Sequence, residues 1–185
     1  MPALAVWTPE DGLLGALAPL GLAAAAAGPV LVVDLDEHGP RYPGDSSLAD
    51  LVEDGPRLAD LRPTRSGTAV LRNGGVAAEA AAEVVDALVG GWGHVVLRLP
   101  PRRRPALSVP VVPVRLLVPG SLFPVPEGPA VLQATPTRVP MRVAGVRLPV
   151  PGRSTVAGLL QGREPTAGDR WVRSWRKVWE VPWGR

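Results

Sequence analysis

Apolar residues along this chain fall into short uninterrupted runs, separated by turn-rich or helical stretches. The clearest run is Val30 to Asp34, whose valines and leucine leave no polar face before the closing aspartate. A run of this kind predicts a strand that is buried on both faces, as in a parallel sheet. By the same criterion we predict strands at 3–8, 30–34, 68–71, 94–99, 111–118, 130–134 and 143–148.

Helical stretches alternate with these strands. Gly12 to Ala27 is apolar and uncharged, and Gly28-Pro29 ends it, which predicts a buried helix. Val76 to Val89 is amphipathic, because apolar residues recur at 76, 80, 84 and 88 while acidic residues take the other faces. Shorter helices are predicted at 47–52 and 154–160.

The alternation of strand and helix predicts an α/β fold with a doubly wound, mostly parallel sheet. After residue 111 the connections are short and rich in proline, whereas a parallel crossover usually contains a helix, so we expect this half of the sheet to be trimmed. The 185 residues are enough for one domain with a tail. We place the domain at 1–165 and a basic, Trp-rich helical tail at 166–185.

Residues 12–33 carry no charge, and about twenty such residues are long enough to cross a bilayer. Pro19 and Gly28-Pro29 interrupt this stretch, however. The first basic residue is Arg41, so no positive region precedes the stretch as a secretory signal would require. We therefore expect a buried helix followed by a buried strand, in a cytoplasmic protein.

Composition excludes several kinds of site. The chain has no cysteine, so it can form no disulfide, thiolate metal site or cysteine nucleophile. His38 and His94 lie far apart in the sequence, and we predict no metal site. A net charge of +3 is too small to indicate nucleic-acid binding by itself. The arginines at 102–104 are interpreted as a solvated charge run rather than an anion-binding patch.

Two carboxylates lie at the end of the strand at 30–34: Asp34 is its last residue, and Asp36 follows two residues later. Many nucleotide-binding α/β proteins present acidic groups to magnesium or water at such a strand end. Asp34 and Asp36 could form a polar cluster of this kind, or they could cap the strand in solvent. No nucleophile and base accompany them, so a catalytic role is the weakest interpretation.

Three segments resemble the MinD/ParA family of deviant P-loop ATPases, in particular its actinobacterial septum-site and pilus-associated members. Residues 30–39 resemble the family's second-strand signature, 93–101 its later acidic strand, and 144–149 the segment near its adenine pocket. The resemblance covers most of residues 3–165, and it is one of pattern rather than of catalytic motifs. It implies a P-loop NTPase-like fold in which Asp34 matches the family's water-activating carboxylate.

The phosphate-binding loop departs from the family motif Lys-Gly-Gly-x-Gly-Lys-Ser/Thr, whose amides, lysines and hydroxyl hold phosphates and magnesium. In register, this chain reads Glu10-Asp11-Gly12-Leu13-Leu14-Gly15-Ala16. Glu10 replaces the first lysine, Gly15 the second, and Ala16 the hydroxyl. Two unit charges about 4 Å apart interact by about 4 kcal/mol at an effective dielectric of about 20, so Glu10 and Asp11 should repel a triphosphate.

Arg98 stands where the family has the acidic residue that orders the magnesium shell. A cation cannot replace a carboxylate beside a metal ion. The resemblance therefore implies a degenerate ATPase with no catalytic residue, no cofactor and no metal. We expect Arg98 to pair with Asp34 across neighbouring strands instead.

The tail differs in kind from the rest of the chain. Its helical stripe is apolar and aromatic, and basic residues lie off that stripe. The predicted contact residues are Trp171, Trp175, Val178, Trp179, Arg173, Arg176 and Lys177. Three interpretations stay open: the stripe docks on its own sheet or on a partner, it contacts the headgroups of an anionic membrane, or it stacks on nucleic acid. The resemblance adds weight to the second, because some MinD-like proteins attach to membranes through such a helix.

The sequence thus predicts a non-catalytic pseudo-ATPase scaffold that acts through protein–protein contacts in septum placement, partition or pilus assembly. Its partner would be a second copy, an active paralogue or a component of the division or pilus machinery, so we expect a homo- or hetero-oligomer. The alternative is a peripheral module whose tail binds the inner face of an anionic membrane. A nucleic-acid partner is not expected.

Overall fold

Seven strands form one sheet in the computed structural model of the chain, which describes residues 3–10, 12–60, 67–102, 104–118, 128–136, 145–166 and 168–184. They are β1 (Ala3–Trp7), β2 (Val30–Asp34), β3 (Thr68–Leu71), β4 (His94–Arg98), β5 (Val111–Leu117), β6 (Ala130–Ala134) and β7 (Gly145–Leu148). Their order is β3-β2-β4-β1-β5-β6-β7, and every neighbouring pair is parallel. The predicted α/β fold with a doubly wound sheet is confirmed. Residues 143 and 144, predicted to begin the last strand, lie outside the described residues.

Helices cover both faces of the sheet. They are α1 (Leu13–Ala24), α2 (Leu48–Asp54), α3 (Ala82–Gly91), α4 (Arg153–Leu160) and α5 (Arg170–Ser174), with a 3-10 helix at Trp175–Glu180. One hydrophobic core joins α1, α4 and the tail to one face, and a second joins α2 and α3 to the other. Successive side chains of a strand alternate between faces, so Val32 belongs to the first core and Val33 to the second.

The uncharged stretch 12–33 forms a buried helix and a buried strand, as predicted. Nine residues of α1 are buried, and all five residues of β2 are buried. No helix in the described ranges combines the length and the apolar character that crossing a membrane requires.

The segment before α3 corrects one prediction. The helix predicted from residue 76 begins at Ala82, and its buried residues are Val85 and Leu88 rather than a stripe that includes Val84. The reason lies in Asn73, whose side-chain oxygen accepts hydrogen bonds from the backbone N–H groups of residues 75 and 76, while its amide donates to the carbonyl of residue 76. This turn satisfies the backbone locally and delays the helix.

The tail packs on α1. Trp171 and Trp175 meet edge to face, with ring centroids 5.5 Å apart, directly over Gly21, where a Cβ atom would overlap both rings. The indole N–H of Trp171 donates to the Gln133 side chain at 2.7 Å, and that of Trp179 donates to the Leu22 carbonyl at 3.1 Å. Residues of the predicted tail therefore share a core with the α/β domain.

Candidate functional site

The carboxyl ends of the strands bring together the polar residues on which the sequence argument depends. In a doubly wound sheet, ligands bind outside these ends, where successive connections leave in opposite directions. Here the chain passes from β1 to β2, which lies on one side of β1, and later from β4 to β5, which lies on the other side of β1. Asp34 ends β2 and Arg98 ends β4, and the two residues are direct neighbours in the register of the sheet.

Arg98 holds two carboxylates at this edge. Its Nη1 lies 3.1 Å from Asp34 Oδ2, and its Nη2 lies 2.7 Å from Asp36 Oδ2. Nη1 also donates to the Pro40 carbonyl at 2.7 Å, and the guanidinium lies 5.2 Å from the centroid of the Tyr42 ring. The predicted pair of Arg98 with Asp34 is confirmed, and Asp36 completes what we call the Arg98 cluster.

The local sequence shapes this cluster. Asp34 Oδ1 accepts the backbone N–H of Asp36 at 3.0 Å, and Asp36 Oδ1 accepts those of His38 and Gly39 at 3.2 and 3.1 Å. A Cβ atom at Gly39 would overlap the guanidinium and the Asp36 carboxylate, so only glycine fits there. Both oxygens of each carboxylate are therefore engaged by the chain itself.

Burial sets the electrostatics of the cluster. Arg98 is 1% exposed and Asp34 is 2% exposed. Burial raises the pKa of Asp34 from 3.8 to about 6, although the Arg98 charge opposes the shift. Burial likewise raises the pKa of Tyr42, whose hydroxyl donates to the Ala16 carbonyl at 2.7 Å. Nε of Arg98 is buried without a hydrogen-bond partner among the described residues.

The loop after β1 contains the second ion pair. Glu10 Oε1 accepts from Arg115 Nε at 3.0 Å and from the Leu116 N–H at 3.4 Å, and its other oxygen accepts from the Thr8 hydroxyl at 2.5 Å. Glu10 is thus tied to β5, and Arg115 compensates its charge. This pair weakens the repulsion expected from an isolated Glu10. Asp11, the other carboxylate of that argument, lies outside the described residues.

The remaining loop positions are structural. Gly12 precedes α1 at φ +96°, a conformation that favours glycine. A Cβ atom added at Gly15 would come within 3.4 Å of the Thr8 methyl group, and Ala16 is fully buried within α1.

An open groove of about 580 Å³ lies outside this edge, and we call it the carboxyl-edge groove. It runs between the loop after β1 and the segments that follow β2 and β4. Its polar and proline lining includes Glu10, Asp36, His38, Pro40, Pro100 and Arg102. In the part of the chain that the structure describes, no group of three or more His, Asp or Glu side chains could hold a metal ion.

The two histidines lie at opposite ends of the sheet, and Arg102 of the arginine run lines the carboxyl-edge groove together with His38. His38 lines the groove, whereas His94 begins β4 at the opposite end of the sheet and meets the Trp179 ring edge-on at 5.3 Å. The guanidinium carbon of Arg104 lies 3.6 Å from the centroid of the Trp7 ring. Residue 103 lies outside the described residues. The structure therefore does not bring the two histidines together.

The tail residues divide into an inner and an outer set. Trp171, Trp175 and Val178 are at most 2% exposed, and Trp179 is half-buried. The three cations among the predicted contact residues are exposed: Arg173, Arg176 and Lys177. In this conformation the basic set is the more accessible of the two.

Sequence reasoning missed Arg115, Tyr42 and Gly39. Arg115 carried a signal, because it is the one charge inside the apolar run 111–118 and a buried charge needs a partner. Tyr42, the only tyrosine, carried none, since its role follows from the position of the Arg98 guanidinium. Gly39 ends the segment that resembles the family's second-strand signature, but its close approach to that guanidinium could not be predicted.

Comparison of the chain with protein-family models, curated proteins and solved structures finds no match. The functional argument therefore rests on the fold and on the geometry of the carboxyl edge.

Proposed function

We propose that this protein is a non-catalytic, pseudo-ATPase-type scaffold that acts through protein–protein contacts in the spatial organisation of division, partition or pilus assembly. The observation that carries the proposal is the Arg98 cluster. It occupies the end of the sheet at which doubly wound folds bind ligands, and it engages the acidic groups with the chain's own donors.

The chemistry of this edge supports a role without nucleotide hydrolysis. A base that activates water must present a lone pair to that water, but Asp34 is 2% exposed and already accepts from Arg98 on one oxygen and from a backbone amide on the other. On the loop side, Glu10 stands where a phosphate group would need a cation, and Arg115 is turned toward Glu10. Separating either buried pair would leave an uncompensated charge.

A surface for a protein partner lies beside the same edge. Leu13, the first residue of α1, is 53% exposed and lies next in the chain to Gly12, which lines the groove. Prolines line the other side of the groove at positions 40, 100 and 101, which makes it stiff. A rigid concave surface with an exposed leucine suits an interface with a second copy or with a paralogue of the same fold.

Calorimetric titration with magnesium-ATP, together with a phosphate-release assay, tests the first half of the proposal. We expect no saturable heat and no turnover at millimolar nucleotide. Micromolar binding accompanied by turnover would refute a non-catalytic role.

Sedimentation velocity tests the second half. We expect the wild-type chain to self-associate and Leu13→Asp to shift it toward monomer. The matched control is Leu58→Asp, because Leu58 is also an exposed large apolar residue, at 70%, but neither of its neighbours in the chain lines the groove. Equal effects of the two substitutions would remove the groove from the interface.

The alternative, a peripheral membrane module, has one observation in its favour: the outward cations Arg173, Arg176 and Lys177. Since Trp171 and Trp175 are buried and Trp179 is half-buried, a docked tail would reach anionic lipid mainly through these charges. Vesicle pelleting should then depend on the three cations and on salt, but not on the tryptophans. Pelleting unchanged by a triple cation-to-Gln variant would exclude this contact.

A further inference from the structure

A second concavity lies at the opposite end of the sheet from the carboxyl-edge groove. It is a cavity of about 220 Å³ between the C-terminal turn of α1, the first residues of β2 and β3, the loop after α4, and α5, and we call it the amino-edge pocket. Neither the Arg98 cluster nor the Glu10–Arg115 pair lines it. The inference below does not rest on the proposed function.

The body of the amino-edge pocket is apolar. It is lined by small and branched side chains from three helices and two strands: Leu20, Ala23, Ala24, Val30, Val70, Leu159 and Val172. A dry cavity of roughly 150 Å³ holds a benzene molecule, so about 220 Å³ has room for a ring or a short acyl chain.

The rim of the same pocket is basic. Arg163, Arg173 and Arg176 line it together with one acid, Glu164, so guanidinium groups outnumber carboxylates three to one. Arg173 and Arg176 are three residues apart on successive helical segments, and both are exposed. Arg163 contacts the Gln161 side chain, and the Glu164 carboxylate lies over Gly67.

We propose that the amino-edge pocket binds a small amphiphile: a monocarboxylate whose apolar body, a short acyl chain or a ring, enters the cavity. The carboxylate lies at the rim between Arg173 and Arg176, since guanidinium groups pair with carboxylates through two parallel hydrogen bonds. The apolar body removes water from the alanine and valine lining. Apolar burial gives such a ligand affinity, and the arginines select its charge.

Octanoate is the probe that tests this site, and 1-octanol is its uncharged match in chain length. We expect saturable octanoate-induced shifts in the amide NMR signals of Gly28, Gly67 and Gly162, which line the pocket. Octanol should bind at least about tenfold more weakly, because a hydrogen bond to a charged group contributes more than one between neutral groups. Equal affinities would overturn the carboxylate assignment.

Two variants locate the ligand. Arg173→Gln/Arg176→Gln should weaken octanoate about tenfold and leave octanol unchanged. The control Arg57→Gln/Arg153→Gln removes the same charge from exposed positions outside the pocket and should change neither. Ala24→Leu narrows the cavity and should weaken both probes. Binding that survives all three variants, or no shift of these glycines with octanoate, would overturn the proposal.

Discussion

The carboxyl edge of the sheet and the docked C-terminal tail are both stabilised by contacts within the chain, but the contacts differ in kind. At the carboxyl edge, Arg98 binds two buried carboxylates through short directional contacts. In the tail, indole rings pack on α1 around Gly21, and their N–H groups find partners where the geometry allows. Each region also leaves one buried N–H without a partner among the described residues, Nε of Arg98 at the carboxyl edge and the indole N–H of Trp175 in the tail.

The comparison teaches that the two regions tolerate change differently. A buried ion pair fixes which residue must stand at each position, because removing one partner leaves the other charge unsolvated. Apolar packing instead depends on volume and shape, and it tolerates exchanges that conserve them. A substitution in the Arg98 cluster should therefore destabilise the whole fold, whereas a substitution beneath the tail should detach the tail from α1.

The largest effect is expected from Arg98→Met. It leaves Asp34 and Asp36 buried without a cation, which destabilises proteins by about 3–5 kcal/mol. Urea unfolding followed by circular dichroism measures the loss. The control variant Arg98→Met/Asp34→Asn/Asp36→Asn removes all three charges and should regain most of the stability. If the single and triple variants unfolded alike, the cluster would not be held by charge.

A smaller effect is expected from Gly21→Leu. The new side chain meets Trp171 and Trp175, and overpacking of this kind costs about 1–3 kcal/mol. We expect the tail to leave α1, so that tryptophan fluorescence shifts to the red and the tail becomes sensitive to protease. Gly90→Ala in α3 is the control, because a Cβ atom there meets nothing within 4 Å. An unchanged emission spectrum for Gly21→Leu would contradict the docked tail.

The pH dependence of stability should reveal Asp34. Its pKa is raised from 3.8 to about 6 in the folded protein, so the folded state binds the proton more tightly than the unfolded state. The protonated Asp34 carboxyl therefore contributes to the free energy of unfolding below pH 3.8, and this contribution is lost as the pH rises through about 6. Asp34→Asn should lack this component, and the stability difference between variant and wild type should grow in favour of the variant over that window. A difference that does not vary with pH would contradict the buried carboxyl.

The smallest effect is expected from the outer face of the tail. Arg176→Gln and Lys177→Gln change exposed side chains, so each should alter the free energy of unfolding by no more than about 0.5 kcal/mol. Thermal unfolding checks this, with Val178→Ala, a change at a fully buried position, as the destabilising reference. A large loss in either cation variant would mean that these charges hold the tail in place.

Much of the fold could be predicted from the sequence, because buried parallel strands need apolar residues on both faces and interrupted runs mark their ends. The pairing of Asp34 with Arg98 was expected from the family resemblance rather than from this pattern, and the register of β2 and β4 brings the two residues side by side. The short helix predicted at 47–52 was also readable, because Ser47 and Asp50 have the three-residue spacing of a capping box, whose two hydrogen bonds are both present.

The rest depended on distant contacts. Glu10 and Arg115 are 105 residues apart, and no local pattern selects that pair. The start of α3 was mispredicted because periodicity ignores a side chain such as Asn73, which competes for the backbone. The amphipathic tail could be predicted from the sequence, but its docking surface on α1 could not. Nothing in the local sequence shows that Gly21 must lack a side chain to make room for two indole rings.

The account depends most on the claim that the carboxyl edge is closed to nucleotide by the Arg98 cluster and by Glu10. Titration with magnesium-ATP, followed through the amide NMR signals of Gly12, Gly15 and Gly39 on the groove wall, tests it most directly. We predict that these three signals stay in place while the spectrum remains that of the folded protein. Saturable shifts of Gly12 and Gly15 would place a triphosphate at the loop after β1 and would contradict the account.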